Sequence, residues 1–236
     1  MGYLCKKSLI FILNIETSTK NCSVSITKNG EIISLKEINT GNYSHAEMLH
    51  PLIHEALAES NLIINQLSAV AVGKGPGSYT GLRIGVSAAK GLSFANDIPL
   101  ISINSLEVLA HSLTIKKGCI VPMIDARRME VYSAVFDESY KLIRDTKAEI
   151  IDTDSFLNEL KSHTLYFLGD GAKKCNETIL SENAKFIENL FPSAKEMGKL
   201  SYDKYKKNDF EDVAYFEPFY LKNFVATNEK KKIIKY

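Results

Sequence analysis

Apolar residues open the chain in three short runs, at positions 9–15, 22–27 and 31–38. Lys28-Asn29-Gly30 separates the last two, and an Asn-Gly pair accepts the positive φ that a tight hairpin demands. The three runs therefore predict a meander that begins a sheet. From Ser44 the period changes: Met48, Leu49, Leu52, Ile53, Ala56 and Leu57 recur at helical spacing, which predicts a helix to about Ser60. Ser44 and Glu47 have the spacing of a capping box. Pro51, which has no N–H, is expected to bend the helix near Glu47.

The continuous apolar run 69–73 predicts a buried strand. A glycine-rich loop, a helix over 79–94 and a strand over 99–103 follow it, and strand, helix, strand in that order implies a parallel crossover. A second set of elements comes next: a helix over 105–113, strands at 120–124, 131–136 and 165–168, and more helix from Lys173. We place the boundary near Ile103, which gives an N-terminal lobe of residues 1–103 and a C-terminal lobe of 104–236. Three meander strands followed by alternating helices and strands is the order of the ribonuclease H-like lobe found twice in actin, sugar kinases and Hsp70. The expected class is therefore α/β, a two-lobed actin-like (ASKHA) fold in which a mixed sheet flanked by helices builds each lobe.

Composition narrows the function classes. The 236 residues are 45% apolar and 24% charged, an ordinary globular mixture with no apolar run long enough to span a bilayer. A formal net charge of +1 supplies no global field for a polyanion. The four cysteines form no CxxC pair, which argues against a zinc ribbon or a disulfide framework and fits a reducing cytoplasm. Lys6 and Lys7 precede an apolar run too short for a signal peptide, so residues 1–7 read as a loose extension of a first strand. The tail 224–236, with Lys230, Lys231, Lys232 and Lys235, reads as a solvated end.

Candidate chemistry concentrates at Gly73-Lys-Gly-Pro-Gly-Ser-Tyr-Thr-Gly-Leu-Arg-Ile-Gly85, which with Gly91 holds six of the thirteen glycines. A strand, a glycine loop and a helix N-terminus can bind an anion through free amides and the helix dipole. Neither phosphate signature is complete, however: Leu82-Arg83 follows Gly81 where a Walker loop needs Lys-Ser or Lys-Thr, and Thr80 stands where a dinucleotide fingerprint needs glycine. Glu16-Thr17-Ser18-Thr19 lies where actin-like kinases hold phosphate with an Asp-Gly-Thr turn. Glu16, Thr17, Ser18, Thr19, Gly75, Gly77, Ser78 and Thr80 are accordingly expected to form a vestigial phosphate loop.

Gly81, Gly85, Ala88 and Ala89 form a strip of small residues on the following helix, which serves either close packing inside the lobe or the approach of a partner helix. His50 and His54 stand one turn apart like paired metal ligands, with His45 nearby, but no third ligand is arranged with them and no metal is expected. Gly85-Val-Ser-Ala-Ala only half matches a nucleophile elbow and lies within a helix, so Ser87 is not read as a nucleophile.

Three further stretches carry a resemblance to a known family. Gly73 to Gly91 reads GKGPGSYTGLRIGVSAAKG, Asp125 to Tyr132 reads DARRMEVY, and Pro218-Phe-Tyr-Leu-Lys222 closes the ordered pattern. With Ile15-Glu-Thr-Ser-Thr19, Ser105-Leu-Glu-Val-Leu-Ala110 and Gly169-Asp-Gly171, they resemble the bacterial TsaB (YeaZ) family of tRNA threonylcarbamoyladenosine biosynthesis proteins over nearly the whole chain. Met129 and Lys222 replace that family's Gly and Arg.

The resemblance implies a non-catalytic subunit that pairs with TsaD, the related catalytic subunit, and enables association with TsaE, an ATPase. ATP is then used by the partners, this chain needs no cofactor of its own, and tRNA is met indirectly through the complex. TsaD holds a metal with an HxxxH pair on the helix after the last strand of its first lobe, a position occupied here by Ser105 and Leu109. The resemblance also implies pairing through the first two helices, with Leu49, Leu52, Ile53, Ala56, Leu82, Gly85, Ala88 and Ala89 as expected contacts. The same surface would be open to homodimer formation when TsaD is absent. On this expectation Ala89→Arg or Gly85→Trp leaves the fold intact and abolishes the complex. The competing readings are a small actin-fold kinase or phosphatase, motivated by Thr17 to Thr19 and Gly169, and a peptidase, for which no Ser-His-Asp order or ligand set can be assembled.

Overall fold

A computed structural model describes residues 9–41 and 44–222; the loose extension 1–7 and the basic tail 224–236 lie outside the described residues. The meander forms as expected from β1 (Phe11–Glu16), β2 (Cys22–Lys28) and β3 (Glu31–Ile38). Asn29 and Gly30 turn between β2 and β3 at φ 53° and 89°, the paired positive values that an Asn-Gly hairpin uses. Helix α1 (His45–Glu59) then crosses to β4 (Ala69–Gly73), α2 (Tyr79–Asn96) and β5 (Leu100–Ile103). The sheet order is β3-β2-β1-β4-β5, antiparallel through the meander and parallel from β1 to β5.

After α3 (Ser105–Ala110), the same pattern is built a second time from β6 (Cys119–Asp125), β7 (Glu130–Asp137), β8 (Leu142–Ile150), α4 (Leu157–Ser162), β9 (Leu165–Leu168) and β10 (Ala184–Ile187). The order β10-β9-β6-β7-β8 repeats the first sheet strand for strand: an antiparallel meander, then two parallel strands beside its first member. The chain is thus a two-lobed α/β protein of the actin-like kind.

Several elements depart from the sequence pattern. Among the described residues no side chain caps α1; the Ser44 carbonyl instead accepts the amides of Glu47 and Met48 at 3.2 and 2.9 Å, in place of the expected capping box. The α1 helix runs unbroken past Pro51, which is exposed. From Lys173 only a three-residue 3-10 turn, Lys173–Cys175, replaces the expected helix. Strand β8 escapes a hydrophobicity reading because it is a charged edge strand, largely exposed on both faces.

The lobe boundary also needs correction. Helix α5 (Met197–Lys206) packs on β1 and β5 of the first sheet, with Met197 and Ala194 sealed against Ile12, Ala71 and Ile101. The residues after it stay with that lobe: Glu211 N donates to Leu100 O at 2.8 Å and Phe219 N to Lys74 O at 2.8 Å. Helix α3 meanwhile buries Leu106, Leu109 and Ala110 on the second sheet. Each lobe therefore borrows a helix that follows the other's strands, and the segment 104–236 is not one spatial unit.

Candidate functional site

The glycine loop meets the turn after β1 at the open ends of the parallel strands, and α3 starts beside them. Glu16 is fully buried there. Its Oε1 accepts the Ser18 amide at 2.7 Å and its Oε2 accepts the Ser105 hydroxyl at 3.0 Å. Burial pushes the carboxyl above its ordinary pKa, and the hydrogen bonds from Ser18 and Ser105 pull it partly back. Ser105 Oγ also accepts the Gly75 amide at 3.2 Å, while Ser105 N donates to Gly75 O at 2.9 Å. One serine thus ties the acid, the loop and α3 together.

The residues expected to form a phosphate loop do come together, with the exception of exposed Thr80. Several of their polar groups are engaged within the chain, while the Ser18 hydroxyl is buried without a partner among the described residues. Ser78 N donates to Ser18 O at 2.7 Å, Gly81 N to Ser78 Oγ at 3.2 Å, and Asn21 N to Thr19 Oγ1 at 3.3 Å. Thr17 Oγ1 donates to Gly81 O at 2.8 Å. His45 Nε2 lies 2.7 Å from Thr19 O, and burial lowers this imidazole's pKa. The Ser18, Gly75 and Ser78 amides thus already have internal acceptors, which leaves fewer donors for a phosphate.

The glycines explain the close fit. A Cβ at Gly77 would collide with Ser18 O, and one at Gly85 with Thr17 Oγ1. The small-residue strip therefore answers to packing inside the lobe.

Burial corrects the expected contact set in the same way. Leu49, Leu52, Ile53 and Ala56 of α1, with Leu82, Gly85 and Ala89 of α2, are all buried, and only Ala88 is partly exposed. The α1 stripe and Ala89 pack with Leu13, Val24 and Val72 of the sheet in one core. Apolar side chains already covered by their own sheet offer no surface to a second protein. The faces that point outward carry Ala46, Glu47, His50, Pro51, His54, Glu55, Ala58 and Glu59 on α1 and Arg83, Ser87, Gly91 and Phe94 on α2. Phe94 is 83% exposed.

Sequence reasoning missed what lies beside that face. The segment 213–220 runs along α2 as a strap. Lys90 Nζ donates to Ala214 O and Phe216 O at 3.2 and 2.8 Å, and Arg83 Nε donates to Tyr220 OH at 3.3 Å. The Arg83 guanidinium also lies 4.2 Å over the Tyr79 ring, itself 5.0 Å from Tyr220. A groove of about 440 Å³ lies between strap and helix, with Arg83, Ser87 and Lys90 on its wall. The Pro-x-Tyr-Leu signature was the available signal, but its place against α2 is a long-range contact.

Ser105 and Leu109 stand on the helix after β5, the last strand of the first sheet, and both are fully buried. A hydroxyl engaged with Glu16 and an isobutyl group packed on the second sheet cannot anchor a transition metal. Among the described residues, no group of three or more His, Cys, Asp or Glu side chains is placed to hold a metal. Cys22 and Cys175 are buried thiols pushed up to about 11, chiefly by burial.

In the second lobe the β6–β7 hairpin turns through Arg127 and Arg128, and its backbone is pinned by Asp170, whose oxygen accepts the Asp125 amide at 3.0 Å. Burial raises the Asp170 carboxyl above its ordinary value, helped by the neighbouring Asp125 charge and opposed by the Asp125 amide, Lys174 and Lys20.

Comparison with known proteins adds a family to this geometry. Residues 40–230 match the family model described as TsaD, tRNA N6-adenosine threonylcarbamoyltransferase. The chain is 30% identical to the tRNA threonylcarbamoyladenosine biosynthesis protein TsaB of Haemophilus influenzae over 91% of its own length and 94% of that protein's. It is 28% identical to TsaB of Escherichia coli, over 91% and 96% of the two chains. Among solved structures, YeaZ from Pseudomonas aeruginosa superposes with a TM-score of 0.78 at 23% identity, over 90% of this chain and all of that one. No helix among the described residues is long and apolar enough to cross a membrane.

Proposed function

The chain belongs to the TsaB family of tRNA threonylcarbamoyladenosine biosynthesis proteins, and from that premise we propose that it is the non-catalytic scaffold subunit of the modifying complex. In this reading it pairs in the cytoplasm with the catalytic relative TsaD and permits TsaE to join. ATP is consumed by the partners, and no cofactor belongs to this chain.

The observation that carries the reading is the state of Ser105 and Leu109. Both lie one helical turn apart on α3, where the catalytic relative keeps its metal-binding histidines, and both are sealed in the chain's own core. The lobe architecture is retained while the ligand set is not. Partner binding falls to the outward face of α1 and α2, which exposes Phe94, histidines, small residues, Arg83 and the acids Glu47, Glu55 and Glu59. In the absence of TsaD, the same face pairs two copies of this chain.

Reconstitution tests the proposal. Purified TsaD and TsaE are mixed with substrate tRNA, threonylcarbamoyl adenylate and ATP, with and without this chain, and modified adenosine is quantified. Modification is expected only when the chain is present; full modification in its absence sinks the scaffold role, and turnover by the chain alone sinks the non-catalytic one.

A further inference from the structure

The β6–β7 hairpin joins Asp125 to Glu130 through two consecutive arginines in the left-handed region, Arg127 at φ 73° and Arg128 at φ 51°. Side chains other than glycine and asparagine rarely adopt that conformation, because Cβ crowds the following carbonyl. At the β2–β3 hairpin the same chain uses Asn29 and Gly30, and at the β7–β8 turn a single Tyr140 at φ 64°, whereas the arginines are two in succession. A pair of arginines is a poor choice for the turn itself. Strained backbone of this kind persists where the surroundings over-determine it and the side chains serve a purpose.

The surroundings do over-determine it. Asp125 Oδ1 accepts the Arg127 amide at 3.0 Å, Ala126 N donates to Glu130 O at 3.1 Å, and Glu130 N donates to Arg127 O at 3.1 Å. Ile151 N holds Met129 O at 2.8 Å. Lys174 pairs with Asp125 and Lys222 with Glu130, so both carboxylates nearest the turn already have cations. Lys20, at the tip of the turn after β1 in the other lobe, is close enough to act on Asp170. Arg127 and Arg128 themselves are exposed and form no ion pair among the described residues.

The result is two adjacent guanidiniums displayed outward on a rigid tip, in a neighbourhood whose acids are neutralised by other cations. A single carboxylate from a protein partner would satisfy one of them. A chain of regularly repeated monoanions satisfies both, since each guanidinium can fork onto its own phosphate. We propose that Arg127 and Arg128 form a contact site for the phosphodiester backbone of RNA, placing the substrate tRNA against the second lobe of this subunit. The site rests on the tRNA-modification reading above and extends it, because the net charge of +1 makes any RNA contact a matter of local clusters.

The test replaces Arg127 with Asn and Arg128 with Gly together, copying the chain's own Asn29-Gly30 turn. This removes both cations and relieves the backbone, so the variant is expected to fold and to melt no lower than wild type. The complex is assembled with TsaD and TsaE, and its affinity for a fluorescein-labelled tRNA transcript is measured by anisotropy across a salt series. The expected outcome is unchanged assembly, a tenfold or greater loss of tRNA affinity, and a salt dependence shallower by about one unit of log–log slope per arginine. Unchanged tRNA affinity overturns the assignment. So does loss of TsaD or TsaE from the complex, which would mean that the arginines meet a protein carboxylate. The isolated chain is titrated in parallel, where tRNA affinity equal to that of wild type likewise overturns the site. A wild-type chain that modification does not require defeats the subunit reading alone.

Discussion

The Ser105 hydroxyl donates to the Glu16 carboxylate at 3.0 Å, joining the end of β1 to the first turn of α3 in the buried junction between the lobes. The bond makes Ser105 a structural fastener between the two lobes. Ser105→Ala strands one lone-pair site of a buried acid and frees the Gly75 amide, so it is expected to cost about 1–3 kcal/mol. Urea denaturation checks it; an unchanged midpoint would show that the bond contributes nothing.

Glu16 gives stability a pH dependence with a definite sign. Its carboxyl is raised, first by burial, so the native state holds the proton more tightly than the unfolded chain. Its contribution is then complete below the unfolded carboxyl pKa of about 4.3 and declines as pH rises through the higher folded value. Glu16→Gln cannot ionise and is expected to gain stability relative to wild type as pH rises above the ordinary carboxyl range. Denaturation curves at several pH values decide this, and a constant difference between the two proteins would contradict it.

The two faces of α2 are expected to respond oppositely to substitution. Gly85→Ala drives a methyl group into Thr17 Oγ1 and should cost the lobe about 1–3 kcal/mol. Gly91→Arg meets open space on the exposed face and should leave stability equal or raise it by about 0.5–1 kcal/mol. If this face binds TsaD, Gly91→Arg should still weaken association at least tenfold in a calorimetric titration. The sequence-based expectation that Gly85→Trp or Ala89→Arg spares the fold does not survive the burial of both positions.

The exchanged helices make the first lobe dependent on the end of the chain. Met197 is fully buried against the first sheet, and Met197→Ala is expected to destabilise the protein by about 2–5 kcal/mol. A fragment of residues 1–110 should remain unfolded by circular dichroism and gain structure when residues 191–222 are appended through a flexible linker. A fragment that folds unaided would return the lobe boundary to Ile103.

Much was open to reading from residue order alone, wherever the deciding forces are local. The Asn29-Gly30 turn, the β1–β2–β3 meander and the crossover through α2 follow from turn chemistry and periodicity, and the density of glycines at 73–85 marked a close approach before its partner was known. What those glycines approach was not readable: Thr17 and Ser18 are some sixty residues away in the chain. Nor could the pattern reveal α5, which has few apolar residues, or β8, whose alternation is masked by charge on a solvated edge.

The limit is sharpest at Leu49, Leu52, Ile53 and Ala56. The sequence by itself determined that these four must leave water together, since the hydrophobic effect acts on any apolar stripe at helical spacing. Only the tertiary structure decided what covers them. That cover is the chain's own first sheet, and the opposite face of α1 stays exposed to solvent.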